Sequence, residues 1–434
     1  MQLASDEQES KMHQMKTGRI ILAFGSALFS AAAMAQLALP LGGLPRVNVP
    51  DIPVDLSDIE LLSLERLGSV LEQARVDRLA RFVRQNRADI DYDENREPAV
   101  RGELVATGVS DASIAVAQRQ GFRLLSRDHI EGLELSYVRF TIPAKMSLRE
   151  SERMLRQILP SAEIDPDHIY FQSGVVPLAA ATNQIADSAV VSSSLGIIDG
   201  GVANHPSVRG RVEQNGFAKG APFASSHGTA VAALMIGNGE IKGARSGANL
   251  LAADVYGNDK AGGNASAIVR GLGWLASRGV SVITISLVGP HNGLLKNAIT
   301  AAQRKGIIIV AAVGNDGPAA PPAYPASYSG VIAVTGVDGR NRALPEAGRA
   351  AHIDFAAPGA DIFSALGANK RAKVRGTSFA APLVAARLST FYPRQSNGAV
   401  GSAVRKLMAE AVDLGKKGHD PLYGHGLVCG TCGR

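Results

Sequence analysis

The sequence predicts an α/β protein with a mostly parallel sheet and helices on both faces, preceded by a small α+β domain. Beyond residue 194, short apolar runs alternate with helix-period segments, the pattern of βαβ units that bury a parallel sheet. Between Gly102 and Gln172 the order is instead strand, helix, strand, strand, helix, strand, which suits a two-layer α+β unit. The 434 residues are 46% apolar with 47 Gly and only 5% aromatic. That is an ordinary globular composition with enough chain for two or three domains, and it excludes fibrous and disordered classes.

The N-terminus carries an export pattern. Lys16 and Arg19 precede an apolar run from Ile20 to Met34 that closes on Ala33-Met34-Ala35. Those are the three regions of a signal peptide, so residues 1–35 are assigned to it, with cleavage expected after Ala35. The run is shorter than the roughly 20 residues a bilayer span needs, so no stable membrane span is expected once it is removed. Because Met1 to Gln14 is polar, Met12 and Met15 stand as alternative translation starts.

Residues 36–100 read as a linker and an amphipathic helix. Prolines at 40, 45, 50 and 53 keep Leu37 to Leu56 extended, whereas Ile59 to Asn86 has apolar residues at helical spacing, with a break expected at Gly68. The α+β domain is placed at 101–175, with strands Glu103–Val109, Phe122–Ser126, Leu133–Ile142 and His168–Phe171, and helices Ala112–Gln120 and Leu148–Leu159. Ser173 to Ser194 is small, polar and aperiodic, and is read as the boundary.

The second domain, 190–434, opens with a strand at Ser194–Asp199 and a helix from Gly228. Strands follow at Asn249–Tyr256, Val280–Leu287, Gly306–Val313 and Val331–Val337. Helices are expected at Ala265–Arg278, up to Lys305, at Thr377–Tyr392 and at Ala399–Ala411. In such sheets, sites form at the carboxyl ends of strands, where Asp199 and Asn315 fall.

The net charge of +6 conceals an asymmetry. Residues 36–189 hold 17 Lys and Arg against 23 Asp and Glu, while residues 190–434 hold 25 against 13. Opposite signs on two parts of one chain favour their docking. The basic residues are scattered singly apart from Lys370 to Arg375, so no nucleic-acid partner is expected. Cys429 and Cys432 form a C-x-x-C six residues from the end, without the helix start that redox chemistry uses. A local disulfide or two free thiols is expected there.

Three segments carry the chemistry: Gly196-Ile197-Ile198-Asp199-Gly200-Gly201, Ser226-His227-Gly228-Thr229, and Gly376-Thr377-Ser378-Phe379-Ala380-Ala381-Pro382. Between the last two lies Val313-Gly314-Asn315-Asp316-Gly317. A serine nucleophile needs a base, and the base needs an orienting carboxylate. Taken singly, Ser378 reads as a helix cap, Asp199 and Asn315 as turn residues, and His227 as one of nine histidines, with His205 and His291 as lesser candidates. Together, in the order Asp, His, Ser, the segments resemble the subtilisin-like serine proteases.

The resemblance covers Leu195 to Val428 well, and Gly102 to Phe171 resembles, by layout and position, the inhibitor-type propeptide of that family. It implies a catalytic Asp199, His227 and Ser378 and an oxyanion hole at Asn315. It further implies substrate binding along Ser286, Leu287, Val288 and Gly289 and along Ala311, Ala312, Val313 and Gly314. Phe355-Ala356-Ala357-Pro358-Gly359 and Tyr324-Pro325-Ala326 also resemble family strings and are read as scaffold. Gly200 departs from the family, which usually has Ser or Thr after the Asp, so a hydrogen bond to the carboxylate is expected to be missing. Val288 and Val313 stand where relatives often carry Gly and Ala, which implies a narrow first pocket; kinetics favouring a bulky aromatic residue before the cut would contradict it.

The expected function is an exported serine endopeptidase, periplasmic or secreted, made as a self-processing precursor. Polypeptides would be its substrates, and its own propeptide an intramolecular inhibitor. The alternatives are a catalytically inactive binding or chaperone module and an ester hydrolase. The chemistry requires no cofactor. No loop has the ligand spacing of a calcium site, so structural calcium stays open.

Overall fold

The computed structural model describes residues 64–174, 185–186, 192–396 and 398–433. The expected signal peptide, the expected proline-rich linker and most of the expected boundary segment lie outside the described residues. The first element among the described residues is helix α1 (Leu64–Gln85), which continues through Gly68. Gly68 is there for a close approach rather than a break: a Cβ would stand 3.2 Å from Ala319 Cβ.

An antiparallel sheet follows, with β1 (Ile90–Tyr92), β2 (Pro98–Thr107), β3 (Arg123–Ile130), β4 (Leu135–Thr141) and β5 (Glu163–His168). Its order is β1-β2-β4-β3, with β5 also paired to β2. Helices α2 (Asp111–Arg119) and α3 (Leu148–Ile158) complete the unit. Ser110 caps α2, and Ser147 with Glu150 forms a capping box on α3. Leu104, Phe122, Phe140, Leu148, Leu155 and Ile164 fill the core between the layers.

Two expectations for this unit need correction. The sheet begins at Ile90, inside the segment read as linker and helix, because Ile90 to Tyr92 is too short to show a period. The final strand is displaced: β5 ends at His168, and Phe171–Gln172 forms a separate strand, β6, in another sheet. Pro166 inside β5 masked it in the sequence, since proline is depleted from strand interiors.

The larger unit is built on a seven-stranded sheet of order β14-β13-β12-β10-β7-β9-β8, parallel at every pairing. The strands are β7 (Leu195–Asp199), β8 (Val212–Gly216), β9 (Leu250–Asp254), β10 (Val282–Ile285), β12 (Ile308–Ala312), β13 (Ile332–Val337) and β14 (Phe355–Pro358). Helices α4 (Ser226–Ile236), α7 (Thr377–Phe391) and α8 (Val400–Glu410) pack with one core cluster, and α5 (Ala265–Ser277) and α6 (Gly293–Arg304) with the other. The expected strands and helices are therefore present within a few residues. Two things were not read from the sequence. One is β8, whose Val-Glu-Gln-Asn-Gly is mostly polar, and the other is the hairpin of β15 (Ile362–Gly367) and β16 (Lys370–Val374) that absorbs the basic run. Phe355–Pro358, read as scaffold, is the edge strand β14.

The small sheet's carboxylates reach helix starts of the larger unit. Asp165 Oδ2 accepts from Gly293 N at 3.0 Å, and Asp167 Oδ1 from Ser266 N at 2.9 Å. The opposite charges of the two parts thus meet as carboxylates on helix N-termini, where the macrodipole is positive, and in the Lys305–Glu134 ion pair at 3.9 Å. The bidentate pair of Arg78 with Asp316 at 2.7 and 2.9 Å runs against the overall charge pattern.

Cys429 and Cys432 are joined by a disulfide. No helix among the described residues is long and apolar enough to cross a membrane.

Candidate active site

Asp199 is the last residue of β7, at the carboxyl edge of the sheet, and is fully buried. Its Oδ2 and Oδ1 lie 2.9 and 3.0 Å from Nδ1 of His227, so the ring is held in place from the carboxylate side. His227 is the second residue of α4, whose start is fixed by Ser225 accepting from Gly228 N. Its Nε2 is buried with no hydrogen-bond partner among the described residues. This is the placement a general base uses: Nδ1 on the orienting carboxylate and Nε2 turned away from it.

Ser378 is the second residue of α7, and the next residue, Phe379, stacks obliquely on the His227 ring at 5.2 Å between centroids. Proline at 382 removes the N–H that would otherwise bond the carbonyl of Ser378 four residues earlier. The Ser286 hydroxyl supplies that bond instead, at 3.0 Å. The Ser378 hydroxyl in turn donates to Ser286 O at 3.1 Å and shares a 2.5 Å hydrogen bond with Ser173 Oγ.

Ser173 belongs to the segment after the small sheet. β6 (Phe171–Gln172) pairs antiparallel with β11 (Leu287–Val288), Gln172 opposite Leu287 and Phe171 opposite Val288. Ser173 N donates to Ser286 O, and Ser173 O accepts from Ser378 N at 3.1 Å. Asn315, just past β12, accepts from Thr377 N through Oδ1 at 3.0 Å, which turns its Nδ2 the other way. That Nδ2 is buried and without a partner among the described residues. A Cβ on Gly376 would lie 2.8 Å from Asn315 Nδ2 and 3.1 Å from Ser173 O, so the glycine, at φ 137°, leaves room for both groups beside Ser378.

The expected partners of an extended peptide are brought together only in part. Ser286, Leu287 and Val288 pair with the 171–173 segment, and Gly289 pairs with Tyr324. The 311–314 segment does not pair with it. Ala311 lies within β12, paired to β10 and β13, and Ala312 ends it, paired to β13, while Val313 and Gly314 line a cavity of about 460 Å³ together with Val288, Gly289 and, from the N-terminal part, Arg75 and Arg78. The second flank is Gly263, whose carbonyl accepts from Tyr170 N at 2.8 Å, with Asn264 bridging Ile169. Gly262-Gly263-Asn264 before α5 was the available signal. Tyr170 is fully buried, donating to Pro290 O, and its own carbonyl accepts from the Tyr256 hydroxyl; burial pushes both phenols far up.

Gly200 is followed by an unexpected arrangement. Asp199 Oδ1 receives Gly200 N at 2.7 Å and Nε2 of Gln172 at 2.9 Å. His205 and His291 lie elsewhere: His205 accepts from Ser207 N, and His291 packs on Tyr324 and Tyr328.

A parallel α/β sheet with a carboxylate–imidazole pair at one strand end and a serine opening a helix beside them defines a serine-type hydrolase. The chain belongs to the subtilase family, whose model matches residues 191–426, and it is a serine endopeptidase of the subtilisin type. Subtilisin DY of Bacillus licheniformis is 32% identical over 244 residues, covering 54% of this chain and 88% of that one. M-protease of Shouchella clausii is 27% identical over 361 residues, 77% of this chain and 91% of the relative. Among solved structures, fervidolysin from Fervidobacterium pennivorans, a keratinolytic enzyme related to subtilisin, superposes with a TM-score of 0.62 at 19% identity. That match covers 78% of this chain and 62% of fervidolysin, and it speaks for the fold.

Proposed function

We propose that the chain is the precursor of an exported endopeptidase that cuts itself between Ser173 and Gly174. The observation that carries this reading is the Ser173 carbonyl, held by Ser378 N at 3.1 Å and set next to the partnerless Asn315 Nδ2. Backbone donors aimed at a carbonyl in a buried site stabilise the oxyanion that forms there. Ser378 is the nucleophile, His227 the base, Asp199 the orienting carboxylate, and Asn315 with Ser378 N the oxyanion hole.

The Ser378 hydroxyl turns from Ser286 O to His227 Nε2 and gives up its proton there as Oγ bonds the Ser173 carbonyl carbon. Collapse of the tetrahedral intermediate breaks the bond to Gly174, whose nitrogen takes the proton from His227. Water then hydrolyses the acyl-enzyme by the same steps. No cofactor enters this chemistry.

Residues up to Ser173 act as folding template and inhibitor, since the strand at 171–172 and the carboxylates of Asp165 and Asp167 bind the larger unit without the scissile bond. Val288, whose Cγ1 lies 3.4 Å from where a Gly314 Cβ would be, and the small Ser173 both support a narrow first pocket. Export rests on the Lys16 to Ala35 pattern. A fluorophosphonate probe tests the reading: the mature enzyme should label, and Ser378→Ala should not. Absence of wild-type labelling would instead favour an inactive binding module.

A further inference from the structure

We propose that this protease selects peptide chains carrying glutamine immediately before the residue whose carbonyl is cut, because the glutamine carboxamide completes the hydrogen bonding of Asp199. The proposal rests on the reading of Ser173–Gly174 as the scissile bond and adds to it a substrate class.

Asp199 is fully buried, and its Oδ1 accepts two N–H groups besides its contact with the histidine: Gly200 N at 2.7 Å and Gln172 Nε2 at 2.9 Å. The first belongs to the enzyme. The second belongs to the segment lying in the cleft and leaves with it. Gln172 is itself buried, and its amide also donates to Ser225 Oγ at 3.3 Å.

The amide reaches the carboxylate because position 200 has no side chain. A Cβ there would stand 2.5 Å from Ser225 Cβ and 3.2 Å from Gln172 Nε2, so the glycine opens the route between Ser225 and the strand. A peptide bound as 171–173 is bound, antiparallel to Leu287–Val288, would place its own side chain on the same route.

The chemistry at the end of that route is selective. Methionine has glutamine's length but no donor, so it would displace solvent from a buried carboxylate and give nothing back. Glutamate would set a second anion against Asp199, and asparagine is one methylene short. A hydrogen bond to a charged group commonly discriminates by roughly 10- to 100-fold.

The test uses the mature wild-type enzyme, titrated for active sites with a fluorophosphonate. The substrates are p-nitroanilides of Tyr-Phe-X-Ser with X as Gln, Asn, Met or Glu. Glutamine should exceed methionine by about tenfold or more in kcat/KM, with glutamate lowest. In the full-length precursor, Gln172→Met should slow self-cleavage by a similar factor. An enzyme that labels fully and hydrolyses the methionine and glutamine peptides equally would overturn the proposal while leaving the protease assignment intact. An enzyme that neither labels nor hydrolyses any of them would overturn both.

Discussion

Ser378 opens a helix whose start is held by a bond no helix supplies. Pro382 leaves the Ser378 carbonyl without its helical donor, and the Ser286 hydroxyl replaces it inside a fully buried environment. Ser286→Ala should therefore destabilise the uncut Ser378→Ala precursor by about 1–3 kcal/mol, the cost of an unsatisfied buried acceptor, as measured by chemical denaturation. An unchanged midpoint would show that the carbonyl finds another donor. The proline was visible four residues beyond the serine, so this role for Ser286 could have been anticipated. The partner of Asp199 could not. Gly200 announced a missing hydroxyl, but that Gln172 would donate in its place depends on where β6 lies, and two-residue strands leave no period.

Helix starts organise the contact between the two parts of the chain. Asp167 meets α5 and Asp165 meets α6, each within 3.0 Å of a backbone N–H. A carboxylate at a helix N-terminus contributes about 0.3–1 kcal/mol when exposed and up to about 2 kcal/mol when partly buried. Asp165→Asn with Asp167→Asn should thus weaken the hold of the cut segment, and the lag between self-cleavage and activity toward an added peptide should shorten several-fold. A lag equal to wild type would place the inhibition elsewhere. The long helices and the interior strands of the parallel sheet were legible from period and apolar runs alone. What escaped was local and polar: β8, the 362–374 hairpin, and β5 with its internal proline. Charge counting pointed to docking without its form, since formal charge carries no information about helix dipoles.

Taken as one molecule, the chain joins a seven-stranded parallel sheet, a topology whose non-local pairings slow folding, to a small antiparallel unit. Within the small unit, burial pushes the Glu152 carboxyl up to about 7, only partly opposed by Arg156 at 2.7 Å and reinforced by Glu94 and Asp93, with His168 acting against them. A carboxyl whose folded value lies above its unfolded 4.5 binds its proton more tightly when folded, so its contribution to stability is present below about 4.5 and is lost as the pH rises through 7. Denaturation of the Ser378→Ala precursor should accordingly show a stability lower at pH 8 than at pH 5 by on the order of 1–3 kcal/mol, and Glu152→Gln should flatten that difference. A slope unaffected by Glu152→Gln would assign it to other groups.

The central claim is that Ser378 attacks the carbonyl of Ser173, and N-terminal sequencing with intact mass of the purified wild-type and Ser378→Ala chains tests it most directly. Wild type should yield a mature chain beginning at Gly174, and the Ser378→Ala chain should remain joined across that bond. A wild-type chain first cut elsewhere, or a Ser378→Ala chain that still separates at Gly174 when purified alone, would contradict it.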